Sequence, residues 1–262
     1  MTYSYATTAA DEAAGSAPHS NPAAGRDAPA EPAHPGLAPP AWACRTPRQT
    51  AIVVADASGS MAGDKARAAA AAIAALLHEL AQPESRDAFS VSLLTFDHRV
   101  WQRLDRVPAA AALAGLRGFD PTAGHGGRTD IRAALEEAER AVACALAADD
   151  TVPPAVVLFS DGGHNAGPGP FDVAARIRRA AELVAIAYDG GDDALLRALA
   201  SRPQHFSRCQ DGAALRQYLA AVGATLSRSV RRSGSLGRML SAGRDGRSAG
   251  SSLAELAAAR GG

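Results

Sequence analysis

The feature that most constrains the fold is a short apolar run, residues 51–55 (Ala-Ile-Val-Val-Ala), which ends at the carboxylate of Asp56. A run of this length and apolarity is typical of a strand that is buried on both faces of a parallel sheet. Two hydroxyls follow at alternate positions, Ser58 and Ser60. Because ligands of open α/β sheets bind beyond the carboxyl ends of the strands, this pattern predicts a binding site directly after residue 55.

The side chains of this stretch supply only hard oxygen atoms, which suit Mg²⁺, Mn²⁺ or Ca²⁺ better than zinc. Two later segments supply oxygen atoms of the same kind. Thr129 follows a glycine-rich loop and opens a helical pattern, and Asp161 follows a second buried-strand pattern. We expect these five residues to form one divalent-cation site, with the donors given in chain order as Asp56, Ser58, Ser60, Thr129 and Asp161.

Each of these residues also has an ordinary structural interpretation. Ser58, Ser60 and Thr129 are natural caps for the helices that follow them. Asp161 precedes two glycines and could form a simple turn. Asp130 could cap its helix or hold a metal-bound water, so it ranks below the five. The case for a metal site therefore depends on all five donors occurring together, at strand ends and a helix start.

Strand and helix patterns alternate over residues 48–227, which predicts an α/β domain with a mostly parallel sheet and helices on both faces. Two strand patterns, 89–96 and 100–104, are separated by only three residues. So short a connection predicts an antiparallel pair, because a parallel crossover needs a dozen residues or more. The closing helix is predicted over 212–226. Hydrophobic residues make up 47% of the chain, which is enough for a sizeable core.

Both ends of the chain differ in composition from this central domain. Residues 1–47 are rich in Ala, Pro and Gly without sustained periodicity, and we expect a disordered tail there. Residues 228–262 are rich in Ser, Gly and Arg, with seven arginines against two acidic residues. A solvated, disordered basic tail is the first interpretation of that segment, and docking to an acidic partner or nucleic acid is the alternative.

The order of the five donors resembles the von Willebrand factor A (VWA) domain family over about residues 49–226. The metal-ion-dependent adhesion site of that family is written Asp-x-Ser-x-Ser, followed by a distant Thr and a distant Asp. The resemblance implies a Rossmann-like, three-layer fold with one antiparallel edge strand. It also implies a bound divalent cation, Mg²⁺ before Mn²⁺ or Ca²⁺, and a protein partner whose Asp or Glu completes the octahedron. Asp56 and Asp161 would bind the ion directly or through water.

Three further stretches, 94–97, 127–130 and 206–225, look like those of bacterial VWA proteins of the tellurium-resistance-associated type. Such proteins resemble components of systems that pair a VWA protein with a protein kinase and a protein phosphatase. This resemblance implies an adaptor in a bacterial stress-response or phospho-signalling assembly.

Charge and composition argue against several other classes of protein. The formal net charge is zero, so we expect no general attraction to nucleic acid or to an anionic membrane. The beginning of the chain lacks the apolar segment of a signal peptide, and the longest apolar run is too short to span a membrane. Three scattered cysteines suggest free thiols in a reducing compartment. We therefore predict a cytoplasmic protein.

Two other functions stay open beside metal-dependent protein binding. Asp56 resembles the nucleophile of haloacid-dehalogenase-type phosphotransferases, but that family requires a second Asp where this chain has Ser58. A metal hydrolase would need a general base, and His125 and His164 in the flanking loops are the candidates. The two histidines could instead be additional ligands or partner contacts. We predict that the protein is not an enzyme. The third possibility is a scaffold that uses the same surface without metal.

Overall fold

A computed structural model describes residues 48–148 and 151–242. The tail predicted over residues 1–47 lies outside the described residues, as does 243–262. Six strands form one sheet in the order β3-β2-β1-β4-β5-β6, in which β3 is antiparallel to β2 and the other pairs are parallel. The strands are β1 (Gln49–Asp56), β2 (Phe89–Phe96), β3 (Val100–Pro108), β4 (Ala155–Ser160), β5 (Glu182–Tyr188) and β6 (Phe206–Cys209). The predicted mostly parallel sheet with one antiparallel edge strand is confirmed.

Helices cover both faces of the sheet. They are α1 (Asp64–Leu80), α2 (Ala109–Gly115), α3 (Ile131–Ala147), α4 (Phe171–Ile177), α5 (Asp193–Leu199) and α6 (Gly212–Ala242). Along β1 the side chains alternate, so that Val53 packs in one apolar cluster with α1, α2 and α6, while Ile52 and Val54 pack in the other with α3, α4 and α5. This period of two explains why β1 is continuously apolar, since both of its faces are buried.

The parallel register brings the ends of three strands to the same edge of the sheet. Asp56 at the end of β1 pairs with Phe96 of β2, and Ala55 pairs with Phe159 of β4. The residues that follow these strands therefore emerge side by side. This arrangement places Asp56 next to Ser160 and brings the loops after β2 and β4 to either side of it.

The last helix is longer than the sequence pattern predicts. α6 continues to Ala242, so residues 228–242 are helical although we predicted a disordered tail from residue 228. Packing explains the first part of this extension, because Val230 is 2% exposed and belongs to the core cluster of α1. The Ser227 hydroxyl also donates a 3.0 Å hydrogen bond to the carbonyl of Glu79 in α1. Arginine and serine residues lie between these buried positions, so the buried face of the helix is not evident from the sequence.

None of the helices in the described part of the chain has both the length and the apolarity that a membrane crossing requires.

Candidate metal site

Asp56 lies at the centre of the site and is completely buried. Its Oδ1 accepts a 2.8 Å hydrogen bond from the backbone N–H of Ser58, and its Oδ2 accepts one from the Ser160 hydroxyl. Burial raises the pKa of Asp56 to about 6, although the hydrogen bonds from Ser160 and Ser58 oppose that rise. A buried carboxylate of this kind lacks a full counter-charge, and a cation beside it would supply one.

The two serines of the motif connect to the second carboxylate. A short 3₁₀ turn, Gly59–Met61, follows Ser58 and is closed by a 2.9 Å bond from the Met61 N–H to the Ser58 carbonyl. The Ser58 and Ser60 hydroxyl oxygens are 3.2 Å apart. Ser60 Oγ also donates a 2.7 Å hydrogen bond to Asp161 Oδ1. The turn thus brings the end of β1 and the loop after β4 into direct contact.

Thr129 approaches from a third segment. Its backbone N–H donates a 2.9 Å hydrogen bond to Asn165 Oδ1, and its carbonyl accepts a 3.1 Å bond from the Asn165 N–H. These two bonds hold Thr129 against the loop after β4. Its hydroxyl oxygen lies close to Gly162, where an added Cβ atom would be only 3.5 Å from it. The Gly59 N–H also donates to the Gly127 carbonyl at 3.3 Å, which joins this loop to the first motif. The segments that carry all five predicted donors are therefore in contact at this edge of the sheet.

A residue outside the predicted set, Lys65, completes the cluster. It lies in the first turn of α1, and its Nζ is 2.6 Å from Asp161 Oδ2 and 3.0 Å from Asp189 Oδ2. The pKa of Lys65 is raised, because the bonds to Asp161 and Asp189 outweigh the burial that would lower it. The one sequence signal was that Lys65 is the sole lysine of the chain and follows the serine motif closely.

Asp97 positions the loop that carries Thr129. Its carboxylate accepts hydrogen bonds from the backbone N–H groups of Arg99 (2.8 Å), Gly126 (3.1 Å) and Gly127 (3.0 Å). Its own carbonyl accepts from the Asp130 N–H at 2.8 Å. Burial would raise the pKa of Asp97, but these donors and His125 lower it to about 2. The sequence signal for this role was a carboxylate directly after β2, the strand beside β1.

The other candidate residues take part in loop structure. Asp130 caps α3 by accepting a 3.0 Å bond from the Ala133 N–H, as one of its two interpretations predicted. The His125 side chain is fully buried, with Nε2 2.9 Å from Thr95 Oγ1 and Nδ1 3.3 Å from Asp97 Oδ1. Burial lowers the pKa of His125. It therefore packs beneath the loop and is unsuited to be an exposed partner contact.

The donor set fits a hard divalent cation. It combines two carboxylates with three hydroxyl groups, the oxygen chemistry that Mg²⁺ and Ca²⁺ prefer. The Lys65 ammonium at Asp161 demonstrates that this carboxylate accepts a positive charge. Among the residues that the structure describes, no group of three or more His, Cys, Asp or Glu is arranged to hold a metal. An ion at this edge of the sheet would thus depend on the hydroxyl oxygens.

The strand order and the donors at the strand ends define an α/β domain with a candidate cation site at the edge of its sheet. The chain belongs to the von Willebrand factor type A domain family, whose model matches residues 52–221. Comparison with curated proteins gives no significant match.

Solved structures share the fold at low sequence identity. Proximal thread matrix protein 1 from the mussel byssus, described with a zinc-occupied adhesion-site motif, is 16% identical with a TM-score of 0.56, over 68% of this chain and 47% of that one. A von Willebrand factor type A protein from Catenulispora acidiphila is 16% identical with a TM-score of 0.55, over 68% of this chain and 42% of that one. This chain therefore matches less than half the length of either protein.

A pilus tip domain matches over almost its whole length. The von Willebrand factor domain of the type V pili tip protein Mfa5 from Porphyromonas gingivalis is 14% identical with a TM-score of 0.58, over 71% of this chain and 97% of that one. At such identities, likeness supports the fold alone.

Proposed function

We propose that this domain binds a divalent cation, Mg²⁺ in the cell, and uses the ion to bind an acidic side chain of a protein partner. The ion would be held by the five donors at the carboxyl edge of the sheet, Asp56, Ser58, Ser60, Thr129 and Asp161. The observation that carries this proposal is the chain of contacts from Ser58 through Ser60 to Asp161, which joins two distant parts of the sequence around one point.

The charge of the donor set indicates what the ion would bind next. Three of the five donors are neutral hydroxyls, so a divalent cation keeps part of its positive charge wherever Asp56 or Asp161 binds it through water. An octahedral ion with open positions prefers another anionic oxygen. A carboxylate from an Asp or Glu of a partner protein meets that requirement, which is why we propose protein binding.

Two observations favour binding over catalysis. Asp56 is buried and its two oxygens already accept hydrogen bonds from Ser58 and Ser160, which is a poor arrangement for attack on a phosphorus atom. The side chain of His125, one candidate base, is fully buried and contacts Thr95 and Asp97 through its two ring nitrogens. We infer that the protein is not an enzyme.

The biological setting is proposed from sequence resemblance. Residues 94–97, 127–130 and 206–225 look like the tellurium-resistance-associated VWA type, so we propose a cytoplasmic adaptor in a bacterial stress-response or phospho-signalling assembly. The partners would be components of a kinase and phosphatase system. Residues 48–227 are proposed as the binding domain.

Partner capture tests this function. The purified chain is immobilised and exposed to lysate in Mg²⁺ or in EDTA, with Asp56→Ala as the site variant and Arg67→Ala, an exposed position on α1, as the matched control. The proposal predicts that a protein partner is retained by wild type and Arg67→Ala in Mg²⁺ and lost in EDTA or with Asp56→Ala. Circular dichroism verifies that each variant is folded. Retention of the same partners under every condition would favour the metal-independent scaffold instead.

A further inference from the structure

Lys65 places a positive charge inside the cluster of proposed metal donors. Its Nζ is 2.6 Å from Asp161 Oδ2, while the other oxygen of that carboxylate accepts the hydrogen bond from Ser60. The Asp161 side chain is fully buried and that of Lys65 is 27% exposed. Both oxygens of Asp161 are therefore engaged, and one of them is neutralised by the ammonium.

A second carboxylate lies beside the same ammonium. Asp189 follows β5, and its Oδ2 is 3.0 Å from Lys65 Nζ. Its side chain is 50% exposed, in contrast to the buried Asp161. Lys65 contacts both acids, and its flexible four-carbon stem allows the ammonium to stay paired with Asp189 when it leaves Asp161.

A divalent cation and the Lys65 ammonium are alternative counter-charges for Asp161. Two positive charges that share one buried carboxylate repel each other, and the repulsion is strongest where water is excluded. An ion bound at Asp161 therefore raises the electrostatic energy of the ammonium beside it, which weakens the Lys65–Asp161 contact.

We propose that Lys65 is an internal counter-cation that sets the metal affinity of the site: it occupies Asp161 in the metal-free protein, and a divalent ion displaces it toward Asp189. This inference rests on the proposed metal site and adds a residue that tunes it. In the metal-free protein Lys65 stabilises the buried Asp161, and during loading it competes with the ion.

Isothermal titration calorimetry, with Mg²⁺ added to the full chain, tests whether Lys65 and the ion compete for Asp161. Lys65→Met removes the charge but retains an unbranched apolar stem, and Lys65→Arg retains the charge. Arg67→Met removes one positive charge two residues away, at a side chain that is 75% exposed, and is the control for a general charge effect. We expect Lys65→Met to bind Mg²⁺ about tenfold more tightly, which corresponds to ~1.4 kcal/mol. Lys65→Arg and Arg67→Met should stay near wild type.

Thermal unfolding provides a second readout. Without metal, Lys65→Met leaves the buried Asp161 without its ammonium partner and should melt at a lower temperature than wild type. Saturating Mg²⁺ should raise its melting temperature by more than it raises that of wild type. If Lys65 only held Asp161 in place for the metal, the same variant would bind Mg²⁺ more weakly.

The outcomes separate this inference from the proposed function. Equal or weaker Mg²⁺ binding by Lys65→Met, with wild type binding, overturns the counter-cation role and leaves the metal site intact. Binding by Lys65→Met alone would show that Lys65 opposes the ion, but it would overturn displacement of Lys65 by Mg²⁺ and the proposed metal binding of the wild-type chain. Absence of binding in all four proteins overturns the metal site and this inference with it.

Discussion

Replacing Asp56 by Asn should stabilise the metal-free protein at neutral pH. The folded protein raises the pKa of Asp56 from 3.8 to about 6. A group whose pKa is raised in the folded state contributes stability that is fully present below the unfolded pKa and is lost as pH rises through the folded pKa. At pH 7.5 Asp56 is charged in both states, and its burial without a counter-ion costs about 3 kcal/mol at most.

Asn removes that charge at nearly the same shape. Its carbonyl oxygen can still accept the Ser58 N–H, and its amide group can donate to the Ser160 hydroxyl. We therefore expect Asp56→Asn in EDTA at pH 7.5 to be more stable than wild type by about 1–3 kcal/mol, since some of the gain is lost in readjusted hydrogen bonds. At pH 4.5 the folded wild-type protein holds the proton on Asp56, so the difference should shrink.

Urea unfolding followed by circular dichroism measures both conditions. In saturating Mg²⁺ the order should reverse, because an ion that binds only the folded state stabilises wild type and the variant has lost a ligand. Ser92→Ala, a buried hydroxyl on β2 away from the five donors, serves as a control that should not change its response to Mg²⁺. If Asp56→Asn is less stable than wild type in EDTA at pH 7.5, the charged carboxylate is better compensated than its burial implies.

The remaining predictions concern the supporting structure. Asp97→Ala leaves three backbone N–H groups without their acceptor and should lower the free energy of unfolding in urea by about 3 kcal/mol. A loss below about 1 kcal/mol would show that water replaces the carboxylate. Because the pKa of Asp97 is lowered to about 2, its stabilisation is present above pH 3.8 and is lost as pH falls toward 2. An Asp97→Asn variant should therefore lose less stability than wild type over that interval of an acid titration. Val230→Ala removes two buried methyl groups and should cost about 2 kcal/mol, whereas no change would place the end of α6 outside the cooperative unit.

The position of the two carboxylates was predictable for a physical reason. Carboxyl ends of parallel strands share an edge, so apolar runs that lead into Asp56 and Asp161 are expected to place both carboxylates at that edge. The grouping of these two with Ser58, Ser60 and Thr129 followed from the resemblance to the VWA site. The antiparallel pair of β2 and β3 was predictable for a second reason, because the connection between the two strands is too short for a parallel crossover.

Other features depend on contacts that local patterns do not contain. Lys65 reaches from α1 to Asp161, 96 residues later, and a sole lysine in a helix gives no indication of that direction. His125 was a candidate base, ligand or partner contact in a flanking loop, yet the path of the loop turns its side chain inward toward Thr95. The continuation of α6 past residue 226 depends on Val230 packing in the core, which the Ser-, Gly- and Arg-rich composition of the segment does not indicate.

One hard divalent cation should bind at the carboxyl edge of the sheet, and Mn²⁺ titration followed by electron paramagnetic resonance tests this binding most directly. Free Mn²⁺ gives a sharp six-line signal that is lost on binding, so the stoichiometry is read without a partner protein. We predict one bound ion per chain for wild type, competition by Mg²⁺, and loss of binding in a Ser58→Ala, Asp161→Asn double variant. Full free-ion signal with wild type, or equal binding by the double variant, would contradict the account.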